Sequence, residues 1–456
     1  MALKRGSAGG AEGRSVTLEM PSPVASVLPQ ANSAGGAGRP LPPAGLHNLA
    51  GRVGTPFFVY DRAAIEASVA ALRQVLPPAS RLCFAIKANP AAGILRLFAQ
   101  MGVGAEVASA GELALALAAG IPAKDVVFSG PAKTEADHLA AVSAGVAALH
   151  VESRQELLAL EALCRAIGRR ANVALRIALP DQRGARRLGW SAQSPFGMEP
   201  DEALAIAETS GEFPHIALIG LHNHAASQVL DATRFAGRLL SFGAFCSAWK
   251  ARFGLAYVNI GGGFGVPVYA DDEPLDLRPI AAALADLSAP GGPLAGLDAG
   301  LTAEPGRFLI GPAGTYVTRV VRTRKIGPQR FAFLDGGTHH VHALSGTQRA
   351  LRRPVAVACL RAPATDLARF ELAGPLCTPV DRLASDAPLP ADLSPGDLLA
   401  FHHVGAYAKH ASPLAFLGHD MPAEVLVDGL SETVIAPRQP AIALWQGAEP
   451  NQAIPP

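Results

Sequence analysis

Lys87 stands inside FAIKANP, residues 84–90. Phe84-Ala85-Ile86 suits a buried strand, and Ala88-Asn89-Pro90 ends it. A lysine at such a point has two readings. It can snorkel to water, as strand-end lysines commonly do. It can also be aimed into a pocket, where lost solvation makes a reactive amine. Further along, HNHAASQ (222–228) supplies His224 and Ser227. NIGGGFG (259–265) supplies Gly261, Gly262 and Gly263, and AEPGR (303–307) supplies Glu304 and Arg307. A glycine run lets backbone N–H groups approach an anion closely. A nearby arginine adds a fork of donors suited to phosphate. Taken singly, each has a plain structural reading: a glycine turn, a surface ion pair for Arg307, a solvated carboxylate for Glu304, a core histidine for His224.

Together, a candidate reactive lysine and a phosphate cradle describe the chemistry of pyridoxal 5'-phosphate. The lysine forms a Schiff base with the aldehyde, and the charged ring accepts electrons from a carbanion. A carboxylate near the pyridine nitrogen holds its proton there, which Glu304 can do. His224 can stack on the ring face.

These groups need a scaffold that brings them to one place. From TPFFVYD (55–61) onward, strand-like and helix-like stretches alternate. The strand-like ones in the first part are 82–87, 104–109, 125–130, 147–153, 172–179, 215–224, 256–263 and one within 297–307. Eight strand–helix units with short loops predict an α/β fold, a closed parallel (β/α)8 barrel. An open doubly wound sheet is the alternative. In a barrel, Lys87, His224, Ser227, the glycine triplet, Glu304 and Arg307 all follow strand ends and ring one mouth. After residue 312 the stretches GTYVTRVVRTRKI, RFAFLD, RPVAVACL, RFELAGPLC, GDLLAFHHVGAY and AEVLVDG read as strands with few helices between. The expected organisation is a barrel over 46–312, a β-rich C-terminal barrel or sandwich over 313–440, and tails at 1–45 and 441–456. SAGGAEGRS and ANSAGGAGRPLPPAG make the first tail Gly/Pro-rich and unpatterned, so it reads as disordered.

The chain has 456 residues, with 39 Lys+Arg against 38 Asp+Glu, so no strong field draws it to nucleic acid or to an anionic membrane. No apolar run approaches a membrane span, and the basic start lacks the apolar core of a secretory signal. Cys83, Cys164, Cys246, Cys359 and Cys377 form no CxxC pair, which reads as reduced thiols in a cytoplasmic protein.

FAIKANP, AEVASAGEL, HNHAASQ, NIGGGFG, EPGR, GPLCTPVD and GAY occur in the order found in fold-type III pyridoxal phosphate decarboxylases. The chain resembles that family, which includes diaminopimelate, ornithine and arginine decarboxylases, over about 55–430. The resemblance implies an alanine racemase-like barrel followed by a β-barrel-like domain that the strand at 55–60 joins. It implies a head-to-tail homodimer whose active sites combine both subunits. By motif position, Lys87 is the Schiff-base lysine and His224 the stacking residue. Ser227, Gly263, Arg307 and Tyr407 lie near the phosphate, and Glu304 at the pyridine nitrogen. Cys377 comes from the partner subunit and protonates the carbanion. Without the motif, Cys377 would read as a small buried apolar residue.

The departures concern the substrate. Thr378 stands where relatives that handle a distal amino group usually have Glu or Asp. Glu106 stands where Asp is usual, and SPFG (194–197) replaces a lysine-containing KFG. LDGGTHHVHALSGTQRALRR (334–353), GPLCTPVDRL and ASPLAFLGH are more similar to a subgroup found with siderophore, exopolysaccharide or acyl-carrier-linked pathways. Asp335 keeps one acidic partner for a substrate, while His339, His340, His342, Arg349, Arg352 and Arg353 offer donors or positive charge. The expected activity is decarboxylation of a free, conjugated or carrier-linked amino acid through a Schiff base and a quinonoid. Diaminopimelate decarboxylation, amino-acid racemisation and non-catalytic cofactor binding are the alternatives. Glu304 disfavours racemisation, because related racemases keep an arginine at that nitrogen. The β-rich half and Cys377 disfavour a mere carrier.

Overall fold

Apolar strands of a few residues, most of them followed by a helix, dictate the first half of the molecule. The structure is a computed structural model and describes residues 42–179, 195–269, 271–297, 300–344, 355–361 and 364–444. The chain opens with α1 (Pro43–Val53), β1 (Phe57–Asp61) and α2 (Arg62–Val75). The barrel strands follow: β2 (Arg81–Ala85), β3 (Gly104–Val107), β4 (Val126–Phe128), β5 (Ala148–Val151), β6 (Ala171–Arg176), β7 (Ile216–His222), β8 (Tyr257–Asn259) and β9 (Leu301–Ala303). They pair in sequence order, all parallel, and β9 pairs back onto β2. Near-complete burial explains why they read as continuous apolar runs rather than as alternating ones.

Between and after them lie α3 (Ala92–Gln100), α4 (Ala110–Ala118), α5 (Glu135–Ala144), α6 (Arg154–Ala166), α7 (Pro200–Glu208), α8 (Ala232–Phe253), α9 (Arg278–Ser288) and the single turn α10 (Arg307–Ile310). Four of these helices start on a side-chain cap. Ser109, Thr134, Ser153 and Asp231 each accept a backbone N–H from the first turn. Ser109 and Ser153 come two residues after β3 and β5, so the caps turn the chain at the C-terminal rim.

The second half is mostly sheet. It contains β10 (Gly314–Ile326), β11 (Gln329–Leu334), β12 (Val357–Cys359), β13 (Leu367–Ala373), β14 (Arg382–Pro390), β15 (Leu398–His402), β16 (Ala423–Asp428) and β17 (Ser431–Ala436). The main path runs β14-β13-β11-β10-β1-β16-β17, with β15 also on β10 and β12 on β15. β1 is antiparallel to β10 and parallel to β16. The N-terminal segment requires a correction. The helix α1 begins at Pro43, so the expected tail boundary at 45 falls inside it. Leu46, Leu49 and Ala50 pack with Phe57, Val59, Val317, Ala423 and Val425, so residues 46–53 join the sheet's core instead of the barrel. At the other end, Ala441–Leu444 forms a short turn with Ala441 buried, where a tail was expected. Residues 1–41, 445–456 and the Arg349, Arg352 and Arg353 positions lie outside the described residues. Among the described residues, no helix is long and apolar enough to cross a membrane.

A buried charged group ties the loop after β15 to β1 and β16. Glu424, on β16, accepts from Lys409 Nζ at 2.6 Å and from the Tyr60 hydroxyl at 2.8 Å, with His410 Nε2 3.3 Å away. Burial pushes the Glu424 carboxyl up, but His410 and Lys409 outweigh it and bring it down to about 2. A carboxylate depressed in the folded state stabilises it above the unfolded value of 4.5, and that stability drains as pH falls toward about 2. We expect Glu424→Gln to leave Lys409 buried and unpaired and to cost roughly 3–5 kcal/mol in urea unfolding at neutral pH. The variant's stability should also fall less steeply than the parent's between pH 4.5 and 2.

Candidate active site

The C-terminal strand ends converge on one barrel mouth, and polar residues break the apolar strands there. Glu304 follows β9 directly and is 4% exposed. Asn259, the last residue of β8, donates from Nδ2 to Glu304 Oε1 at 2.7 Å and to the Tyr257 hydroxyl at 2.8 Å. Its Oδ1 accepts the Gly261 N–H at 2.8 Å, which fixes the amide so that its donors face Glu304. The Tyr257 hydroxyl, accepting from Asn259, is free to donate to His150 Nε2 at 3.1 Å. His150 Nδ1 then carries the proton that reaches Ser129 Oγ at 2.8 Å.

The His150 and His222 rings stack with centroids 4.0 Å apart. His222 Nε2 lies 3.3 Å from Glu304 Oε2, without the alignment of a hydrogen bond. Burial holds both imidazoles well below the ordinary histidine range. The second imidazole's charge adds to this at His150, and Arg176 and Lys87 add to it at His222. These rings are therefore neutral, and Glu304 is the carboxylate of this floor.

Lys87 lies two residues beyond β2 in a single helical turn, Ile86–Ala88. It pairs with Glu106, a buried residue of β3. Its side chain keeps 46% exposure among neighbours that are almost all buried, so it remains reachable from the mouth. Loss of solvation is the largest influence and lowers its pKa. The charges of Glu106, Tyr407 and Glu304 and the bond to Glu106 together outweigh it, and the amine is raised above the ordinary lysine range.

The glycine triplet lets three loops meet. A Cβ on Gly262 would overlap the Glu304 carbonyl, and one on Gly263 the Ala226 carbonyl. The Gly262 N–H instead donates to His224 Nδ1 at 3.0 Å, so the His224 proton sits on Nε2, 3.5 Å from Ser227 Oγ. Burial, with Arg176 and Lys87 nearby, keeps His224 neutral as well. Arg307 lies 4.7 Å over the Tyr407 ring and has no carboxylate partner among the described residues. Burial lowers its pKa, which marks a guanidinium short of a counter-anion. The Tyr407 backbone, at φ 54°, bonds its N–H to the Ala88 carbonyl at 2.8 Å. This brings the second half's loop directly over the lysine turn.

The substrate expectations fare differently. Cys377 is exposed in the loop between β13 and β14, with Thr378 partly exposed beside it. No described contact joins either to Lys87. Asp335 requires a correction. Its carboxylate accepts from the Thr55 and Thr318 hydroxyls and the Arg319 N–H, so it works as a structural acceptor inside the sheet. His339 and His340 are also buried, at 0% and 1% exposure, and burial brings His339 down to about 4. They supply no positive charge at neutral pH. The sequence reading missed His150, Tyr257, Asn259 and His222 as a connected floor. The available signal was a polar side chain at or near the end of each apolar strand: AALHV, AYVN and IGLH.

The family model for the pyridoxal-dependent decarboxylase, pyridoxal binding domain, matches residues 62–311, more than half of the chain. The chain belongs to the pyridoxal-dependent decarboxylases. It is 34% identical to the L-glutamyl-[BtrI acyl-carrier protein] decarboxylase of Niallia circulans over 83% of this chain and 90% of that one. It is likewise 34% identical to a diaminopimelate decarboxylase of Pseudomonas aeruginosa, over 88% and 94%. The diaminopimelate decarboxylase of Helicobacter pylori complexed with L-lysine superposes with a TM-score of 0.79 at 26% identity, over 88% of this chain and 98% of that one. The decarboxylase uses pyridoxal phosphate, and its residues fit that group. A reachable lysine, an arginine lacking a counter-anion, a glycine cradle that a Cβ would fill and a buried carboxylate face one mouth.

We expect Gly262→Ala to force the loops after β7, β8 and β9 apart. Fluorescence titration of the apoenzyme should show cofactor affinity falling at least about tenfold, the effect of roughly 1.4 kcal/mol. Far-UV circular dichroism should be unchanged.

Proposed function

We propose that this decarboxylase removes the α-carboxylate of an amino acid whose far end is neutral or anionic, such as an acyl-conjugated or carrier-linked amino acid. One observation carries the reading. Asp335, the one acid expected to meet a distal ammonium, and Asp381, the acid of the cysteine loop, are both turned inward. In the loop GPLCTPVD the one acid is Asp381, 3% exposed and bonded to Thr338 and Leu376. Asp335 is occupied within the sheet. Thr378 offers no charge. The similarity to an acyl-carrier-linked glutamyl decarboxylase supports the same reading.

The residues take these parts. Lys87 supplies the amine that binds the cofactor covalently and is displaced by the substrate amine. Glu106, already bonded to Lys87, has to release it before the nitrogen can react. Arg307, Ser227, Tyr407 and the N–H groups of the glycine loop hold the phosphate. Glu304 would accept from the pyridine nitrogen, and neutral His224 would cover a ring face. Pyridoxal phosphate, when bound, supplies the electron sink that makes loss of carbon dioxide feasible. Cys377 of the partner subunit returns a proton to the α carbon. Its exposure, with no described contact to its own Lys87, supports a site completed by a second copy.

Three outcomes are expected. Borohydride should fix the cofactor to Lys87 in the purified enzyme, and a peptide map showing it on another lysine would refute the assignment. Mixed Lys87→Ala and Cys377→Ala subunits should recover up to about a quarter of activity under random exchange, by counting in a two-fold dimer. No recovery despite demonstrated exchange would argue for separate sites. Across a substrate panel, kcat/KM should be higher for amino acids with a distal carboxylate or acyl group than for lysine, ornithine and meso-diaminopimelate. Meso-diaminopimelate leading by tenfold or more would overturn the substrate reading.

A further inference from the structure

We infer that Asp381 is a positioning residue for Cys377, holding the cysteine loop in the one shape that delivers its proton. The inference rests on the reading of Cys377 as the donor. Asp381 lies four residues after the cysteine and is almost fully buried. Its Oδ1 accepts the Thr338 N–H at 2.7 Å and the Thr338 hydroxyl at 2.9 Å. Its Oδ2 accepts the Leu376 N–H at 2.8 Å, the peptide adjoining Cys377. Its backbone closes the same loop: the Gly374 N–H reaches the Asp381 carbonyl at 3.1 Å, and the Asp381 N–H reaches the Thr378 carbonyl at 3.2 Å. Gly337 and Gly374 lie against the carboxylate, and a Cβ on either would overlap it. Asp381 thus closes the cysteine loop, through its carboxylate at Leu376 and through its main chain at Gly374 and Thr378. The same carboxylate grips the turn after β11, so the two segments move together.

The chemical consequence is a choice between two carbons. After carbon dioxide leaves, the electron pair is shared between the substrate α carbon and the cofactor carbon that bore the aldehyde oxygen. A thiol proton delivered to the α carbon gives the amine, and the thiolate regains its proton from water. A proton delivered to the cofactor carbon, followed by hydrolysis with water, gives a carbonyl compound and the amine form of the cofactor. The position of the thiol decides the ratio. Asp381→Asn keeps the shape but turns one acceptor into an NH₂ facing the Thr338 or Leu376 N–H, so one tie is lost. Thr338→Val removes only the hydroxyl tie.

The test uses the full-length holoenzyme with the amino acid of highest turnover in the panel above. Carbonyl product per turnover should rise at least tenfold in Cys377→Ser and in Asp381→Asn, and severalfold in Thr338→Val. The rate of iodoacetamide labelling at Cys377, followed by mass spectrometry with and without cofactor, should change at least threefold in Asp381→Asn. A mere loss of stability would lower total turnover without moving the product ratio. A raised ratio in Cys377→Ser with parental ratio and labelling in both other variants would overturn the role of Asp381. An unchanged ratio in Cys377→Ser would instead overturn the reading of the cysteine. Should Asp381→Asn fail to fold, Thr338→Val decides alone, and parental values there overturn the inference.

Discussion

The loop that carries Tyr407 to the lysine turn is anchored by one buried ion pair, Lys409 with Glu424. Removing two charges from water is costly, and the pair returns that cost only with good geometry and further hydrogen bonds. Here Tyr60 and His410 supply them. The reason to keep charges there is registry. Lys409 lies two residues after Tyr407, and Glu424 sits on the strand beside β1. Asn89 donates to the Gly405 carbonyl at 3.1 Å, and Tyr407 donates to Ala88. The loop that faces Arg307 is therefore pinned on one side to the sheet and on the other to the turn that carries Lys87. An apolar replacement could fill the same space, but it would not specify which residue of the loop meets which residue of the turn.

The barrel floor obeys a different constraint. Four polar side chains are buried around Glu304, yet only the carboxylate brings charge. Burial holds His150 and His222 neutral, and it raises the Tyr257 hydroxyl, so that stays protonated too. The network then has a direction. Asn259 gives donors to Glu304 and Tyr257, Tyr257 gives to His150, and His150 gives to Ser129. A protonated histidine at 3.3 Å would compete with any ligand for the Glu304 carboxylate. Neutral rings leave that carboxylate to whatever donor comes from the mouth. The lysine side is the opposite case, since Glu106 and Lys87 are already paired and must part for the amine to react.

Much of this was legible in the sequence, for physical reasons. Period and punctuation reveal a barrel because most strand residues are buried and four of the helices begin on a capping side chain. The glycine triplet was legible as a close approach, and the neighbours it admits are the Glu304 and Ala226 carbonyls. The strands β14 and β17 were not legible. β14 contains Asp386 at φ 55° and two prolines, and β17 is a half-exposed edge strand, so neither shows the expected alternation. The helix α1 was hidden by the Gly/Pro-rich stretch that precedes it. Pairings across long separations were hidden most completely. Glu424 with Tyr60 and Asp381 with Thr338 join residues far apart in sequence, and local pattern holds no record of such contacts.

Asp335 shows how that gap misleads. From sequence it looked like the one acid left for a substrate, since it follows an apolar strand and precedes two glycines. Three donors in the sheet claim it, and Asp381 is claimed in the same way. An acid already bonded by several donors gains little from a further cation, because its lone pairs are spent and moving it would strand buried N–H groups. A distal ammonium entering beside Thr378 would lose its water without gaining a counter-charge, a loss worth a few kcal/mol at a desolvated site. A distal acyl group or amide has far less solvation to lose. In the proposed reading, the inward turn of these two acids would therefore do more to set substrate class than the threonine taken alone.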